Sequence, residues 1–440
     1  MTELRRDLGT IESYATIIGI LIGAGIFKVT NEAWALTGPS VILGYLVLAP
    51  AILATSVAYS VFISTPLGRE PGGEYAHISR TFGGHGLAFV GVWLKIISYI
   101  GALAYLARAF ADYLLGGRRP SLAMPIAVAV LLFFYVVHVI GVRWFGRAQV
   151  WMCLILGVSL VVLIIPGLFA IHPANYRPFI TYGLRGFAAS LPPLFFAYAG
   201  FESLAQTAGE VRDSTRRLPR VFLLGIAATT VIYLLMSIVA FGVLPGQQLA
   251  ASVAPMTTVA SQYLPAGAEV LITIGALMAI TTSLNGTMLV PSRVAIVLAE
   301  DRLAPQWLAR VSPRTGTPVI GLTITAAAAL ILLLSGQVGL ALNIAVFALV
   351  VLYFLHSFAL LMLPRMNREL FESVTVRIPL IVQRIAAVIS MLAMGAIIAL
   401  SSLSTVELAL VWGVVGGVLY AVAHRRASRG IKNSEQSKLV

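Results

Sequence analysis

The sequence predicts an all-α integral membrane protein, and three observations carry that prediction. Of 440 residues, 59% are hydrophobic and only 11% are charged, against about 45–50% and about 25% in soluble domains. The apolar residues fall into about twelve runs, each near the roughly 20 residues that a helix needs to cross the hydrocarbon core. Lys and Arg gather in the connections on one side of those runs. With a mean hydropathy of +0.93, a water-soluble fold of this length has no interior large enough for so much apolar side chain. Soluble enzymes, nucleic-acid binders and disordered chains are excluded.

The runs lie at 14–34, 39–65, 86–115, 124–141, 149–171, 184–208, 221–244, 266–299, 318–335, 338–363, 379–400 and 405–423. They are uninterrupted, which suits helices and not the in–out alternation of a membrane barrel. The third, eighth and tenth are long enough to tilt or protrude. No hydrophilic stretch is long enough for a separate soluble domain. The expected organisation is an N-terminal segment 1–13, a core of ten helices over 14–363, two further helices over 379–423 and a basic tail over 424–440.

Placing the N-terminus in the cytoplasm puts 23 of the 30 Lys and Arg residues on that side, as the positive-inside rule requires. An even number of spans returns the C-terminus to the same side, in a cell membrane. This asymmetry explains the net charge of +13 without a nucleic-acid partner. The tail from Arg425 is polar and expected to be unstructured. Its Arg425, Arg426 and Arg429 read first as a topology signal and second as a contact for anionic lipid heads. Residues 1–10 carry both signs of charge and do not look like a cleaved leader. The single cysteine, Cys153, excludes an intrachain disulfide.

Two spans depart from the ordinary pattern. The first contains Ile22-Gly23-Ala24-Gly25-Ile26-Phe27, and glycine at alternate positions lets a helix unwind. The sixth contains Phe195-Phe196-Ala197-Tyr198-Ala199-Gly200-Phe201-Glu202, small residues beside an embedded acid. Breaks five spans apart are expected of two inverted five-helix repeats with a substrate site between them. The plainer alternative is that Gly19, Gly23 and Gly25 only let helices pack closely. An unwound helix suits a zwitterion: free amides at the start of a half-helix hold a carboxylate, and exposed carbonyls accept from an ammonium group.

At these residues the chain resembles the amino acid–polyamine–organocation transporters. Ile22 to Phe27 is similar to the family's first-helix motif. Phe195 to Glu202, with Gly209-Glu210-Val211 and Arg217-Leu218-Pro219-Arg220, is similar to the sixth helix and the loop after it. Gly72-Gly73-Glu74-Tyr75 with Phe82-Gly83 resembles the loop after helix two. Glu300-Asp301-Arg302-Leu303-Ala304-Pro305 and Gly316-Thr317-Pro318 resemble the loop after helix eight. The likeness covers about residues 10–363; the last two spans share only their apolar character.

The resemblance implies a five-plus-five inverted repeat with two additional helices, a leucine-transporter-like fold. It implies that the substrate carboxylate meets the amides of Ala24 and Gly25, with Ile22 and Gly23 in the same substrate-binding segment. The ammonium group would meet the carbonyls of Leu21, Phe196 and Ala199, beside Gly200. Asn285 and Thr287 would approach the substrate side chain, and Phe196, Phe201 and Glu202 would gate the passage. Many proton-coupled members carry a lysine in helix five, where sodium sits in sodium-driven relatives. Counted from Gly146-Arg147-Ala148, that position is Leu156. A sodium-like position would need the carbonyls of Gly19 and Ile22 with hydroxyls from Thr281, Thr282 or Ser283. Helix hydroxyls commonly bond their own backbone instead. Sodium-independent exchange or facilitated movement is the first expectation.

Other embedded charges are Glu202 and Lys95, the candidates for proton coupling. A lysine at the centre of a span costs about 2.5–3.5 kcal/mol, and Lys95 is expected to snorkel toward the cytoplasmic surface. Arg108 and Asp112 are spaced for an i,i+4 ion pair. His138 and His356 are single histidines in apolar runs. Neither a metal-ligand cluster, a catalytic constellation nor a cofactor fingerprint is present in the sequence. The expected function is secondary active or facilitative transport of amino acids by alternating access, with neutral substrates favoured over cationic amino acids or polyamines because the sixth span offers no acid beyond Glu202. A channel would want a polar pore or charged rings, and none is visible.

Overall fold

A computed structural model describes residues 6–436. Among these residues the chain is helical throughout, with no β structure beyond an isolated bridge between Leu8 and Val211. In chain order the helices are α1 (Thr10–Ala24), α2 (Thr30–Thr37), α3 (Val41–Ile63), α4 (Glu74–Phe82), α5 (Gly86–Leu115) and α6 (Ala123–Ile140). Then come α7 (Val142–Phe169), α8 (Gly183–Tyr198), α9 (Ser203–Gln206), α10 (Ser214–Val243), α11 (Gly246–Ala251) and α12 (Pro255–Ala260). The chain closes with α13 (Glu269–Glu300), α14 (Val319–Leu334), α15 (Val338–Met366), α16 (Arg368–Glu372), α17 (Leu380–Ala399) and α18 (Leu403–Gln436).

Among the described residues ten helical stretches are long and apolar enough to cross a membrane. The helices α8 and α14, at 16 residues each, are shorter. Burial separates centre from periphery: 72% of the most apolar window of α13 is buried, against 11% for α18. At the centre, α1 lies against α13, α10 and α7, while α5 packs on α15 and α13, and α8 on α2 and α3. The edge helix α18 is fixed to α5 by Trp93 and Trp412, whose rings stack at 4.5 Å. Each indole donates to the other's carbonyl, at 2.8 and 2.9 Å. These tryptophans serve packing.

The tail departs from expectation. α18 continues to Gln436, because the residues after the apolar stretch include the strong helix formers Ala, Arg, Lys, Glu and Gln. Residues 437–440 and the side chains of Arg426 and Arg429 lie outside what is described.

Both predicted breaks are present. Gly23 leaves helical geometry (φ 3°, ψ −146°), and a π-helical turn over Gly25–Val29 joins α1 to α2. After α8 the chain becomes extended at Ala199 (φ −77°, ψ 153°). Gly200 follows at φ +103°, a conformation that favours glycine. A short turn then leads into α9. Glycine is also needed where the breaks meet: a Cβ on Gly25 would lie 2.5 Å from the Ala197 Cα. The close-packing alternative and the unwinding reading therefore hold together at this residue.

Gly25→Ala should lower the melting temperature of the detergent-solubilised protein, since overpacking against backbone costs about 1–3 kcal/mol. Gly157→Ala on α7, where a Cβ meets nothing within 4 Å, should hold or raise it, because alanine gains about 0.5–1 kcal/mol in a helix. Equal melting of the two variants would contradict the close contact.

Candidate functional site

The two breaks face each other across a small cavity. Leu21 and Gly25 line it from the first break, and Phe196, Ala199 and Gly200 from the second. α5 contributes Ser98, Tyr99, Ala102 and Leu106, α13 contributes Ser283 and Thr287, and α15 contributes Leu349. Of the expected substrate-binding residues, Leu21, Gly25, Phe196, Ala199, Gly200 and Thr287 are brought together here. Ile22 and Gly23 belong to the same break but do not line the cavity, and the side chain of Ala24 lies outside what is described. Asn285 points elsewhere: its amide donates to Gln149 Oε1 (2.8 Å) and the Phe145 carbonyl (3.4 Å) on α7. A helix turns about 100° per residue, so a two-residue difference from Thr287 is enough to aim it away.

Most polar groups around the breaks are already engaged. The Tyr233 hydroxyl on α10 lies against the carbonyls of Leu21 and Ala197 (2.6 Å to Ala197). One side chain thereby ties the two breaks together. The Phe196 carbonyl accepts from the Ala199 amide (3.1 Å). Ser283 donates to the Ile20 carbonyl (2.7 Å). Gly23 makes that approach possible, since a Cβ there would collide with the Ser283 hydroxyl.

At the sodium-like position, Thr282 donates to the carbonyls of Gly19 (2.8 Å) and Ala279 (2.7 Å). Thr281 turns back to Leu277 and Met278. Leu156 is buried. One and two turns earlier on α7, Cys153 donates to the Ala15 carbonyl at 3.0 Å, and Gln149 donates to those of Ala15 and Thr282 at 3.3 Å. These are the α7 side chains that face the seam between α1 and α13. The motif count gave no signal for them.

Phe196 makes an edge-to-face contact with Tyr105 (5.6 Å), and further along α5 a larger cavity is lined by Asn31, Glu32, Arg108, Ala109 and Asp112. Arg108 and Asp112 form the expected ion pair at 2.8 Å. Phe201 does not line the cavity. It sits on its other side, packed on Tyr59 and Tyr353 at 5.2 Å each.

The embedded acids and Lys95 form a buried polar layer beneath that cavity. Glu202 accepts from Tyr99 (2.7 Å), from Tyr353 and from the Gly200 amide (2.9 Å), so its carboxylate caps the break in its own helix. Lys95 does not snorkel. It is fully buried and pairs with Glu74 at 2.7 Å, with its ammonium 5.4 Å from the centre of the Tyr99 ring. The correction has a physical cause: α4 folds under α5 and brings a carboxylate to the lysine, which removes the need to reach water. Glu74 also accepts from Tyr59 and Gln206, both at 2.5 Å. His356 is not solitary; its Nε2 lies 2.9 Å from His77 Nδ1. His138 meets the Asn285 carbonyl at 2.9 Å.

On the face that carries the N-terminus, residues of the loop motifs pair with one another. Tyr75 donates to Asp301 (2.7 Å). Leu8 exchanges backbone bonds with Glu210 and Arg212 (3.0 and 2.9 Å). Arg293 pairs with Glu210 at 3.0 Å with both side chains buried. Burial pushes the Glu210 carboxyl above its ordinary range, and Arg293 opposes that push.

Long apolar helices, two of them broken toward one small cavity, define a membrane transport protein. A family model described as "Amino acid permease" matches residues 8–420, and the chain belongs to that family. It is 30% identical over 329 residues to "Cationic amino acid transporter 1" of Arabidopsis thaliana, covering 71% of this chain and 54% of that protein. The chain thus spans about half the length of that relative. It is 28% identical to "Methylthioribose transporter" and 26% identical to "Branched-chain amino acid permease BcaP", both of Bacillus subtilis, over 72% of each chain. The family and relatives are permeases and transporters, not enzymes.

Removing Glu210 strands a buried guanidinium, so Glu210→Ala should destabilise the protein by about 3–5 kcal/mol. Adding Arg293→Met should recover part of that loss. Thermal melting of the single and double variants checks this, and additive losses would show that the two groups are not paired.

Proposed function

We propose that the chain carries neutral amino acids across the cytoplasmic membrane by alternating access, without sodium. In this reading about twelve spans form two inverted five-helix repeats and two added helices, with both termini in the cytoplasm as the Lys and Arg distribution favours. The substrate sits between the breaks, its carboxylate toward the turn that begins at Gly25 and its ammonium toward the carbonyls around Ala199. The bundle of α1, α3, α8 with α9, and α10 moves against the remaining helices.

The observation that carries the preference is the cavity wall. Ala102, Leu106, Leu349 and Phe196 are apolar, and the neighbouring acid, Glu202, is taken up by two tyrosines and a backbone amide. A buried cationic side chain would find no free partner there. Sodium independence is supported by Thr282, whose hydroxyl already donates to the Gly19 carbonyl that it would share with an ion. Tyr105 against Phe196 would close the outer side, and Glu202 with Tyr99 and Tyr353 the inner side. A second reading, a cationic amino acid or polyamine permease coupled to protons through Glu202 or Lys95, draws on the name of the Arabidopsis relative.

A thermal-shift screen of the purified protein separates the two. A ligand at 100 times its Kd stabilises by about 2.7 kcal/mol, and leucine, valine or alanine should do so while lysine, arginine and putrescine should not. Counterflow of the stabilising amino acid in proteoliposomes should saturate and run equally in sodium and choline. Stabilisation by the cationic set alone, or steep sodium dependence, would overturn the corresponding part.

A further inference from the structure

We propose that Glu74 is the clasp of the cytoplasmic exit: a scaffold-borne carboxylate that holds the moving bundle through Tyr59 and Gln206 and lets it go without leaving a bare charge behind. This rests on the alternating-access reading.

The assignment of Glu74 to the scaffold follows from packing. α4 lies against α5 and α15. Two buried contacts fix it there, Lys95 on Glu74 (2.7 Å) and His77 on His356 (2.9 Å). The other two donors to Glu74 come from across the seam. Tyr59 is on α3 and Gln206 on α9, each at 2.5 Å. Glu74, Lys95 and Gln206 are fully buried, as is Tyr59.

Glu202 shows the reverse arrangement. It belongs to the bundle, accepts from Tyr99 on α5 and Tyr353 on α15 across the same seam, and keeps the Gly200 amide of its own segment. Each carboxylate therefore has one partner that travels with it and neutral donors that do not. At these two carboxylates, separation breaks four neutral-donor bonds and leaves the Lys95–Glu74 ion pair intact. The partner that remains with Glu74 is a full cation, which is what a carboxylate needs if its neutral donors are exchanged for water entering the opened passage. The Lys95–Glu74 pair is then an internal counter-charge that stays assembled through the cycle. Its apparent redundancy in a buried layer has a use: the bonds that open and close are those of Tyr59 and Gln206. The ring of Tyr59 also packs on Phe201, Phe222 and His356, so a Phe there removes the hydroxyl and keeps the packing.

The test uses the full chain with Cys153→Ser and reporter cysteines labelled by a membrane-impermeant maleimide. Ser203→Cys, buried on α9, reports opening to the cytoplasm in inside-out vesicles. Ala109→Cys, in the cavity beyond Tyr105, reports the outer side in right-side-out vesicles. Tyr59→Phe and Gln206→Ala should each raise labelling at 203 by roughly five- to tenfold, the weight of one such bond, and lower labelling at 109. Glu74→Gln with Lys95→Met, which removes both charges together, should shift the two reporters the same way. Rates at 203 within twofold of the parent in both single variants overturn the proposal. So does a rise at both reporters, which would mean general loosening. Labelling needs no substrate, so a protein that fails in counterflow still reports on the clasp, and the two readings fail separately.

Discussion

Inside a bilayer an unwound turn has no water to bond, and each stranded amide or carbonyl costs several kcal/mol. A chain that breaks two helices at membrane depth must therefore supply partners from its own side chains. Here they come from four side chains, on α10, on α13 and in the second break itself. Tyr233 meets the carbonyls of Leu21 and Ala197, Ser283 that of Ile20, Thr282 that of Gly19, and Glu202 the amide of Gly200. The cost of unwinding explains why so many polar residues of an apolar protein converge on one layer. It also explains why they carry few charges, since neutral hydroxyls can satisfy backbone groups without a desolvated ion.

The same constraint fixes where glycine is required. The breaks must approach closely enough for one tyrosine to span them, and Gly25 against Ala197 and Gly200 against Ile20 leave no room for a side chain. Once the backbones touch, the remaining void is small and is walled by whatever the neighbouring helices present. On α5 these are Ser98, Ala102 and Leu106, one residue per turn. The shape of the proposed substrate pocket is thus a consequence of the unwinding, with its chemistry set by the α5 stripe together with Ser283 and Thr287 of α13 and Leu349 of α15.

The helical architecture was legible because hydropathy in lipid is nearly unambiguous, and the breaks were legible because Gly23, Gly25 and Gly200 break local propensity. Residues that support the breaks were not. Tyr233 lies 212 residues from Leu21, Glu74 lies 132 from Gln206, and no period or spacing joins them. Lys95 was misread for the same reason. Taken alone, its position in α5 predicts a side chain stretching toward water, and only the fold of α4 beneath α5 reveals the carboxylate. Asn285 and Thr287 share one motif-free stretch, yet they serve opposite faces of α13. A sequence alignment within a helix cannot resolve that without the rotation.

The buried charges then divide by consequence. Lys95–Glu74 joins two elements of one packed body, α4 and α5, while Arg293–Glu210 joins α13 to the connection after α9. A pair within one body is a fixed cost that motion does not change. A pair across a moving seam must be separated in every cycle, and separation is tolerable only where both ions reach water. Arg293–Glu210 lies at the closed face beside the Leu8–Val211 bridge, where opening would hydrate both partners. Lys95–Glu74 needs no such rescue, because both members belong to one body and stay paired. Which pair can be separated therefore follows from the body each member belongs to, through the desolvation penalty.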